Sequence, residues 1–365
     1  MQENQNNINA ALRCGYVTLI GRPNVGKSTL MNHLIGQKIA ITSHKPQTTR
    51  GQILTVYTDE RGQIVFLDTP GIHESKNKLG EYMVKVATKT MEEVDLILWL
   101  VEPSTFIGQG EHMIIDQLRE CGKQVILVIN KIDTVDAADL QTFIDAYKKE
   151  MDYADIVTVS ALKSENLDDL MQIIFDRLPY GDPFYDDEVL TNQSEREIVA
   201  EIIREKALRL LTDEVPHGIA VTVETMKTRR AAAPAKKKKS KHVHPPKKSS
   251  NASAPETISA TGSDGAPDLE AMLAALAGGA EDAANVDAAD NIMDIEASII
   301  CERDSHKGIV IGKGGSMLKK IGSQAREDIE KMVGCRVNLQ LFVKVRRDWR
   351  NDSLQMKNFG YNNPK

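Results

Sequence analysis

The sequence predicts a doubly wound α/β domain followed by a smaller α+β domain. Three observations lead to this fold class. A glycine-rich segment follows an early β-rich run, several later β-rich runs end on polar motifs, and a second glycine loop lies between helical patterns near the C-terminus. The chain has 365 residues, enough for two domains with a sizeable core in each. The predicted domains are residues 12–183 and residues 184–365.

The first motif runs from Gly21 to Ser28 and fits G-x-x-x-x-G-K-[ST], a phosphate-binding loop. It lies between a strand pattern, residues 15–20, and a helix pattern, residues 29–35. The glycines let successive N–H groups point at one anion, and the helix N-terminus adds positive charge. We expect Lys27 to reach the β- and γ-phosphates and Ser28 to bind Mg²⁺. Nucleotide contacts are predicted for Gly21, Arg22, Pro23, Asn24, Val25, Gly26, Lys27 and Ser28.

A second β-rich run, residues 63–67, ends on a short polar motif beside this loop. An Asp at the carboxyl end of such a strand can hold Mg²⁺ through water. The N–H of a glycine can approach a γ-phosphate closely because no Cβ intervenes. The residues of this motif predicted to contact the nucleotide are Asp68, Thr69, Pro70, Gly71 and Ile72.

Two further strand patterns predict a guanine site. Residues 125–129 run into Asn130-Lys131-Ile132-Asp133, and residues 156–159 lead to Ser160-Ala161-Leu162. Asp133 would accept hydrogen bonds from the N1–H and exocyclic amine of guanine. Adenine lacks this donor pair, so a buried Asp would be left unpaired, and unpaired buried polar groups discriminate strongly. Lys131 would lie over the base, Asn130 would brace the loop, and an N–H of residues 160–162 would meet the guanine O6. The elements together predict GTP in the crevice of a doubly wound sheet.

The motifs also predict a mechanism. In the GTP state we expect Thr49 to meet Mg²⁺ and the γ-phosphate, with Thr48 as the alternative. After Gly71 this chain has Ile72, which cannot orient water as the Gln of a Ras-type enzyme does, so intrinsic hydrolysis should be slow. GTP would order the segments around Thr49 and residues 68–75 and bias the second domain toward RNA. The predicted catalytic residues are Lys27, Thr49, Asp68 and Gly71, and the predicted metal ligands are Ser28, Thr49 and Asp68.

The net charge of −6 is unevenly distributed. Residues 229–248 carry nine basic side chains and no acidic one, and residues 251–294 carry nine acidic side chains and no basic one. This composition predicts a disordered insertion at about 228–291. Within it, residues 267–278 have a helical pattern, which is either a partner-docking helix or a nascent helix on a tether. The four scattered cysteines predict no disulfide or zinc site, and the absence of a long apolar run or signal peptide predicts a cytoplasmic protein.

The second glycine loop, Gly312–Gly315, fits the G-x-x-G motif of a KH fold, which clamps about four nucleotides of single-stranded RNA. A capped helix from residue 194 and strands at 219–225, 292–302 and 336–345 surround it. We expect Ile309, Val310 and Ile311 to help form the apolar floor of the groove. RNA contacts are predicted for Lys307, Ile311, Gly312, Lys313, Gly314, Gly315, Lys319 and Lys320. The tail either extends the RNA surface or closes the domain, through Arg346, Arg347, Trp349, Arg350 and Lys357.

This order of motifs resembles the Era family of ribosome-assembly GTPases, a P-loop GTPase domain followed by a KH (type II) domain. The matching segments are residues 21–28, 47–50, 68–73, 130–133, 160–162, 201–206, 312–315 and 346–351. The resemblance implies GTP/GDP and Mg²⁺ as cofactors. It also implies binding to 16S ribosomal RNA near its 3′ end, a role in maturing the small (30S) subunit, and peripheral membrane association. The protein is expected to be a monomer. Asn24 matches the Asn that, in related GTPases, ligates K⁺ in place of an arginine finger.

Two other interpretations stay open at this point. One is a GTPase of the tRNA-modification type, which predicts a helical second domain and is opposed by the G-x-x-G loop. The other is a membrane-surface signalling GTPase whose KH half is a protein-interaction module and whose lysine run, Lys236–Lys239, meets anionic lipid. Binding of a short single-stranded RNA, with stimulation of hydrolysis, would distinguish the last alternative from an RNA-binding GTPase.

Overall fold

The computed structural model describes residues 12–36, 40–43, 45, 48–212, 214–230 and 291–361. Several predicted features lie outside the described residues. These are Gln47 of the family motif, the lysine run, and the helical pattern at 267–278.

The first domain is built on one mixed sheet. Its strands are β1 (Arg13–Ile20), β2 (Ile53–Asp59), β3 (Gly62–Asp68), β4 (Leu96–Val101), β5 (Gln124–Ile129) and β6 (Asp155–Thr158). Among the described residues they form a six-stranded sheet in the order β2-β3-β1-β4-β5-β6. Neighbouring strands are parallel, except that β2 is antiparallel to β3. The carboxyl ends of β1, β3, β4, β5 and β6 therefore meet at one edge.

Helices cover both faces of this sheet, as the doubly wound prediction requires. They are α1 (Lys27–Ile35), α2 (Lys78–Glu93), α3 (Gln109–Cys121), α4 (Leu140–Lys148) and α5 (Leu167–Arg177). One apolar core packs α1 and α5 on the sheet, and a second packs α2, α3 and Tyr147 of α4 on its other face. Strand β4 is buried along its whole length because helices lie on both of its sides.

The segment after α5 returns along the first sheet before it enters the second domain. The N–H of Val56 donates to the carbonyl of Leu190 at 2.9 Å. The side chain of Gln63 accepts from the N–H groups of Phe184 at 2.8 Å and Tyr185 at 3.0 Å. Residues 184–190 thus pack on the first domain, and we propose that the boundary between the domains lies a few residues after the predicted position.

The second domain has the order α-β-β-α-α-β. Its elements are α6 (Glu195–Leu210), β7 (Ala220–Arg230), β8 (Asn291–Cys301), α7 (Asp304–Ile311), α8 (Ser316–Val333), β9 (Arg336–Val345) and a tail helix α9 (Ser353–Asn358). Strand β8 lies between antiparallel β7 and parallel β9. Helix α6 begins with a capping box in which Ser194 and Glu197 satisfy each other's backbone N–H groups. Alternate residues of β9 face the core with α6 and α8: Val337, Leu339, Leu341 and Val343.

The predicted insertion begins and ends at one end of a hairpin. Arg230, the last residue of β7, lies opposite Asn291, the first residue of β8. The strand pairing is complete up to these residues apart from one irregularity between Val223 and Thr225. Residues 231–290 themselves lie outside the described part of the chain.

The tail closes the interface between the domains. Trp349 is fully buried with Leu79, Tyr82 and Met83 of α2, and its Nε1 donates to the carbonyl of Gly218 at 2.9 Å. The predicted alternative of an RNA-facing aromatic residue is therefore wrong, because the ring is enclosed by both domains. Of the basic tail residues, Arg350 forms an ion pair with Glu302 and the exposed Arg347 forms one with Asp304. Arg346 and Lys357 are also exposed. No helix in the described ranges is long and apolar enough to cross a bilayer.

Trp349→Ala should lower the free energy of unfolding by about 3–5 kcal/mol, because it removes a large buried side chain and leaves a cavity between the domains. Urea unfolding followed by the fluorescence of Trp99 would measure this loss. Leu354→Ala is the matched control, since Leu354 belongs to the same tail and is 69% exposed. Equal stabilities of the two variants would contradict the assignment of Trp349 to the interface.

Candidate functional site

The loop between β1 and α1 curls tightly at the carboxyl edge of the sheet. Gly26 has φ 101°, and a Cβ there would lie 2.3 Å from Nδ2 of Asn130, so only glycine fits. Gly71 approaches the loop from the end of β3, and a Cβ there would lie 2.8 Å from the backbone nitrogen of Pro23. The structure therefore brings the predicted phosphate loop and the predicted γ-phosphate glycine together.

Lys27, the first residue of α1, points back into this loop. Its ammonium group donates to the carbonyls of Gly21 and Arg22, both at 3.1 Å, and the side chain is buried. Burial lowers the pKa of Lys27 to about 8, and the nearby Asp68 carboxylate opposes that shift. A phosphate in the loop would favour the charged ammonium form. The arrangement provides a cation aimed at the position where an anion would bind.

Three oxygen-bearing side chains converge beside Lys27. Ser28 Oγ lies 3.0 Å from Asp68 Oδ2, Thr49 Oγ1 lies 3.1 Å from the same oxygen, and the two hydroxyls are 3.1 Å apart. Thr48 instead donates to the carbonyl of Lys45 at 2.7 Å. Of the two candidates, Thr49 is thus the one that the structure places with Ser28 and Asp68.

The environment of Asp68 fits a bound Mg²⁺. The carboxyl is completely buried, its Oδ1 has no hydrogen-bond partner, and burial raises its pKa. A buried carboxylate oxygen without a hydrogen-bond partner lowers the stability of the fold, and a bound cation would remove this penalty. Carboxylate and hydroxyl oxygens together with phosphate oxygens are the ligands Mg²⁺ prefers. The described residues contain no cluster of three or more His, Cys, Asp or Glu suited to a metal, so phosphates would have to complete this site.

The other residues of the motif after β3 are buried and support the crevice from the protein interior. Thr69 is buried and donates its hydroxyl to the carbonyl of Leu19 at 3.0 Å. The Ile72 side chain lies in the core, and its N–H donates to the carbonyl of Gly21 at 3.3 Å. Both side chains are directed into the protein, so a nucleotide contact from either residue would use its backbone. Pro70 is also buried.

The guanine motif is braced to the phosphate loop. Asn130 donates its amide to the carbonyl of Val25 at 2.8 Å and accepts from the N–H of Ala161 at 2.9 Å, which joins three loops. Lys131 has φ 67° and donates to the carbonyl of Asn24 at 2.9 Å. The prediction that Asp133 is buried is wrong, because its carboxylate is exposed at the edge of the sheet, where it accepts from Ser160 Oγ at 2.5 Å. The motif therefore presents one carboxylate at the same edge as Lys27.

Other residues beside the guanine motif and the phosphate loop have burial and ion-pair partners that the sequence did not predict. Ile132 and Ala161 are buried and Leu162 is half-exposed at the rim. Lys131 also forms an ion pair with Glu102, and Arg22 pairs with Glu111 at 2.6 Å. The guanidinium of Arg22 thus turns away from the loop, and a nucleotide contact from this residue would use its backbone. The sequence reasoning missed these acidic partners, because nothing in the local pattern marks them.

The G-x-x-G loop joins α7 to α8, as predicted. Its glycines have positive φ angles, 72° at Gly312, 59° at Gly314 and 80° at Gly315. A groove of about 380 Å³ begins at this loop and runs between α8 and β9. Its lining residues are Gly315, Leu318, Lys319, Gly322, Ser323, Arg326, Val337, Asn338, Leu339 and Leu341.

The groove floor differs from the prediction. Val310 is fully buried in the domain core, and Ile309 is 48% exposed, so neither lines the groove. Leu318 and the apolar residues of β9 provide the floor instead, because β9 pairs alongside β8 under α8. Of the predicted RNA residues, Gly315 and Lys319 line the groove. The remainder lie in α7, in the loop or elsewhere on α8: Lys307, Ile311, Gly312, Lys313, Gly314 and Lys320.

Arg326 is a groove residue that the sequence reasoning missed. It follows Lys319, Gly322 and Ser323 at spacings of seven, four and three residues, which places all four on one helix face. This spacing after a G-x-x-G loop is the signal that would have found it. The resulting surface combines two exposed cations with an apolar floor.

Two family models match the chain. Residues 16–131 match the model described as 50S ribosome-binding GTPase, and residues 281–350 match a KH domain model. A solved structure of Era in complex with MgGDPNP and nucleotides 1506–1542 of 16S ribosomal RNA matches with a TM-score of 0.77 and 34% identity. An Aquifex aeolicus Era variant bound to GDP·AlF4⁻ matches with a TM-score of 0.76 and 34% identity. Both matches cover 96% of this chain and 99% of the solved one.

Among curated proteins, GTPase Era of Clostridioides difficile is 46% identical over 351 residues, covering 96% of this chain and 99% of its own length. GTPase Era of Alkaliphilus oremlandii is 44% identical over 349 residues, with the same two coverages. These matches cover both domains and nearly the whole chain, which belongs to the Era family of GTPases.

Proposed function

We propose that this chain is a GTP-hydrolysing switch that binds single-stranded 16S ribosomal RNA near its 3′ end and acts in assembly of the small ribosomal subunit. The observation that carries the proposal is the convergence of Ser28, Thr49 and Asp68 within 3.1 Å of one another at the mouth of the phosphate loop. Family membership and the separate groove in the KH half support the RNA part.

In this mechanism the chain's own residues hold and orient the nucleotide. Lys27 exchanges its two carbonyl acceptors for phosphate oxygens, and Asp133 accepts from the guanine edge. Mg²⁺, when bound, neutralises charge on the β- and γ-phosphates. Ser28, Thr49 and Asp68 are the residues that would hold it, and the Gly71 N–H would meet the γ-phosphate.

Slow intrinsic hydrolysis follows from Ile72. Its side chain is buried, and no hydrogen-bonding side chain occupies that position to orient water. We propose that K⁺, held in part by Asn24, supplies the positive charge that an arginine finger provides in other GTPases. Asn24 lies in the loop with φ 69°, and its carbonyl accepts from Lys131.

The RNA half of the proposal rests on the groove. Lys319 and Arg326 are exposed beside an apolar floor, which suits phosphates and splayed bases. A protein-interaction module on a membrane-surface GTPase would not need these cations beside a G-x-x-G loop. Peripheral membrane association and the assembly role on the 30S subunit remain predictions from the resemblance. A cytoplasmic location remains a prediction from composition, and a monomeric state also remains a prediction.

A direct test is binding of an RNA with the sequence of nucleotides 1506–1542 of 16S ribosomal RNA to the full chain. Fluorescence anisotropy should show tighter binding than to a scrambled RNA of equal length, and the RNA should stimulate GTP hydrolysis. Equal affinity for both RNAs, with no stimulation, would contradict the proposed function.

Asp133→Asn should weaken GTP binding and improve binding of xanthosine triphosphate, because the amide reverses one donor–acceptor pair with the base. Competition with a fluorescent GDP analogue would measure both affinities. Asp136→Asn, three residues along the same loop, is the matched control. Parent-like GTP affinity of the Asp133 variant would show that the guanine site lies elsewhere.

Replacing K⁺ by Na⁺ at constant ionic strength should slow GTP hydrolysis, and Asn24→Ala should remove the difference between the salts. Phosphate release under single-turnover conditions measures the effect. Equal rates of the parent in both salts would leave Asn24 as a loop residue without a role in ion binding.

Replacing Lys313 and Gly314 by Asp should reduce binding to the 16S sequence selectively, since the loop must approach a phosphate and carry no negative charge.

Deleting residues 231–248 should lower affinity for all RNAs about equally and flatten the salt dependence of that affinity. This deletion spares Arg229 and Arg230, which belong to β7. RNA affinities measured across a salt series test both predictions. If the deletion abolished the preference for the 16S sequence, the insertion would be part of the recognition site.

A further inference from the structure

The segment that carries Thr49 lies between the two domains. The Thr49 hydroxyl faces Ser28 and Asp68 in the first domain. The next residue, Arg50, sends its side chain the opposite way, into the second domain, and is 3% exposed. The two neighbouring side chains thus connect the magnesium residues with the KH half.

The contacts of Arg50 are specific. Its Nη1 donates to the carbonyl of Ile219 at 2.5 Å and its Nη2 to the carbonyl of His217 at 3.1 Å. Nη1 also lies 3.3 Å from the hydroxyl of Tyr361, and the guanidinium lies 5.7 Å from the Trp349 ring centroid. A buried cation that loses such acceptors is costly, so these contacts fix the side chain firmly.

The residues before Arg50 are attached to the second domain as well. Arg204 of α6 donates to the carbonyl of Thr48. The N–H of Thr42 donates to Glu205 Oε1 at 3.2 Å, and Arg209 donates to the carbonyl of Thr42 at 3.2 Å. Helix α6 therefore holds the backbone at Thr42 and Thr48, whereas the side chain of Thr49 turns toward the phosphate loop.

We propose that Arg50 is a positioning residue for GTP hydrolysis, which holds the Thr49 hydroxyl at the magnesium site by anchoring the backbone to the KH half. The inference rests on the proposed function. Because Arg50 and Thr49 share a peptide bond, release of the guanidinium lets the Thr49 hydroxyl move. A displacement of about 1 Å from a reacting group can cost about 100-fold in rate. The second domain thereby contributes to hydrolysis through neutral carbonyl acceptors far from the nucleotide.

The test uses the full chain with Arg50→Ala and Arg50→Lys. We expect kcat to fall about tenfold or more in Arg50→Ala, and the Mg²⁺ concentration for half-maximal hydrolysis to rise. Arg50→Lys should lie between this variant and the parent, since one ammonium cannot serve both carbonyls in the same geometry. The Kd for GDP should stay within about twofold of the parent, because the phosphate-loop and guanine contacts are unchanged.

Two further variants separate positioning from general stability. Tyr361→Phe removes one partner of Arg50 without changing packing and should raise the Mg²⁺ requirement slightly. Asn351→Ala removes another contact between the domains, the acceptor of the Lys78 N–H at 3.2 Å, and should hydrolyse GTP like the parent.

Parent-like kcat and Mg²⁺ dependence in Arg50→Ala would overturn the inference. An equal loss of GDP affinity and hydrolysis would also overturn it, since that result would make Arg50 a merely structural residue. If the parent bound GDP but hydrolysed no GTP, the proposed function itself would fail, which is a different outcome from either of these.

Discussion

The buried carboxylate of Asp68 is the constraint around which the nucleotide crevice is arranged. It is completely buried, one of its oxygens has no hydrogen-bond partner, and burial raises its pKa. A carboxylate in this state needs positive charge and hydrogen-bond donors nearby. Lys27 supplies positive charge, and the hydroxyls of Ser28 and Thr49 donate hydrogen bonds. A cation held beside Asp68 together with nucleotide phosphates would complete this electrostatic arrangement.

Much of this crevice could be predicted from the sequence, because each of its parts is a short motif directly after a strand. A parallel sheet brings the carboxyl ends of its strands to one edge, so motifs after β1, β3, β5 and β6 had to meet. The brace between Asn130 and the phosphate loop was predicted in the same way. The choice between Thr48 and Thr49 was not decidable from the pattern, since it depends on which side chain faces β3.

The features that escaped prediction depend on contacts between distant parts of the chain. Trp349 is buried because α2, more than 250 residues earlier, covers it. The apolar floor of the groove comes from β9 because β9 pairs in parallel with β8. Arg50 looks like an ordinary basic residue in a loop until the carbonyls of residues 217 and 219 are placed beside it. Periodicity and spacing carry no information about such pairs.

The register of the β7–β8 hairpin has a practical consequence. Ala220 and Ile300 lie at the domain interface, whereas Arg230 and Asn291 lie at the far end of the same strands, about 30 Å away at the rise of a β-strand. Ile292, next to that end, pairs with Arg336 of β9, directly before the residues that line the groove. A fluorophore attached at this tip would therefore lie far from the domain interface and beside the RNA groove, where it would report on arrival of RNA.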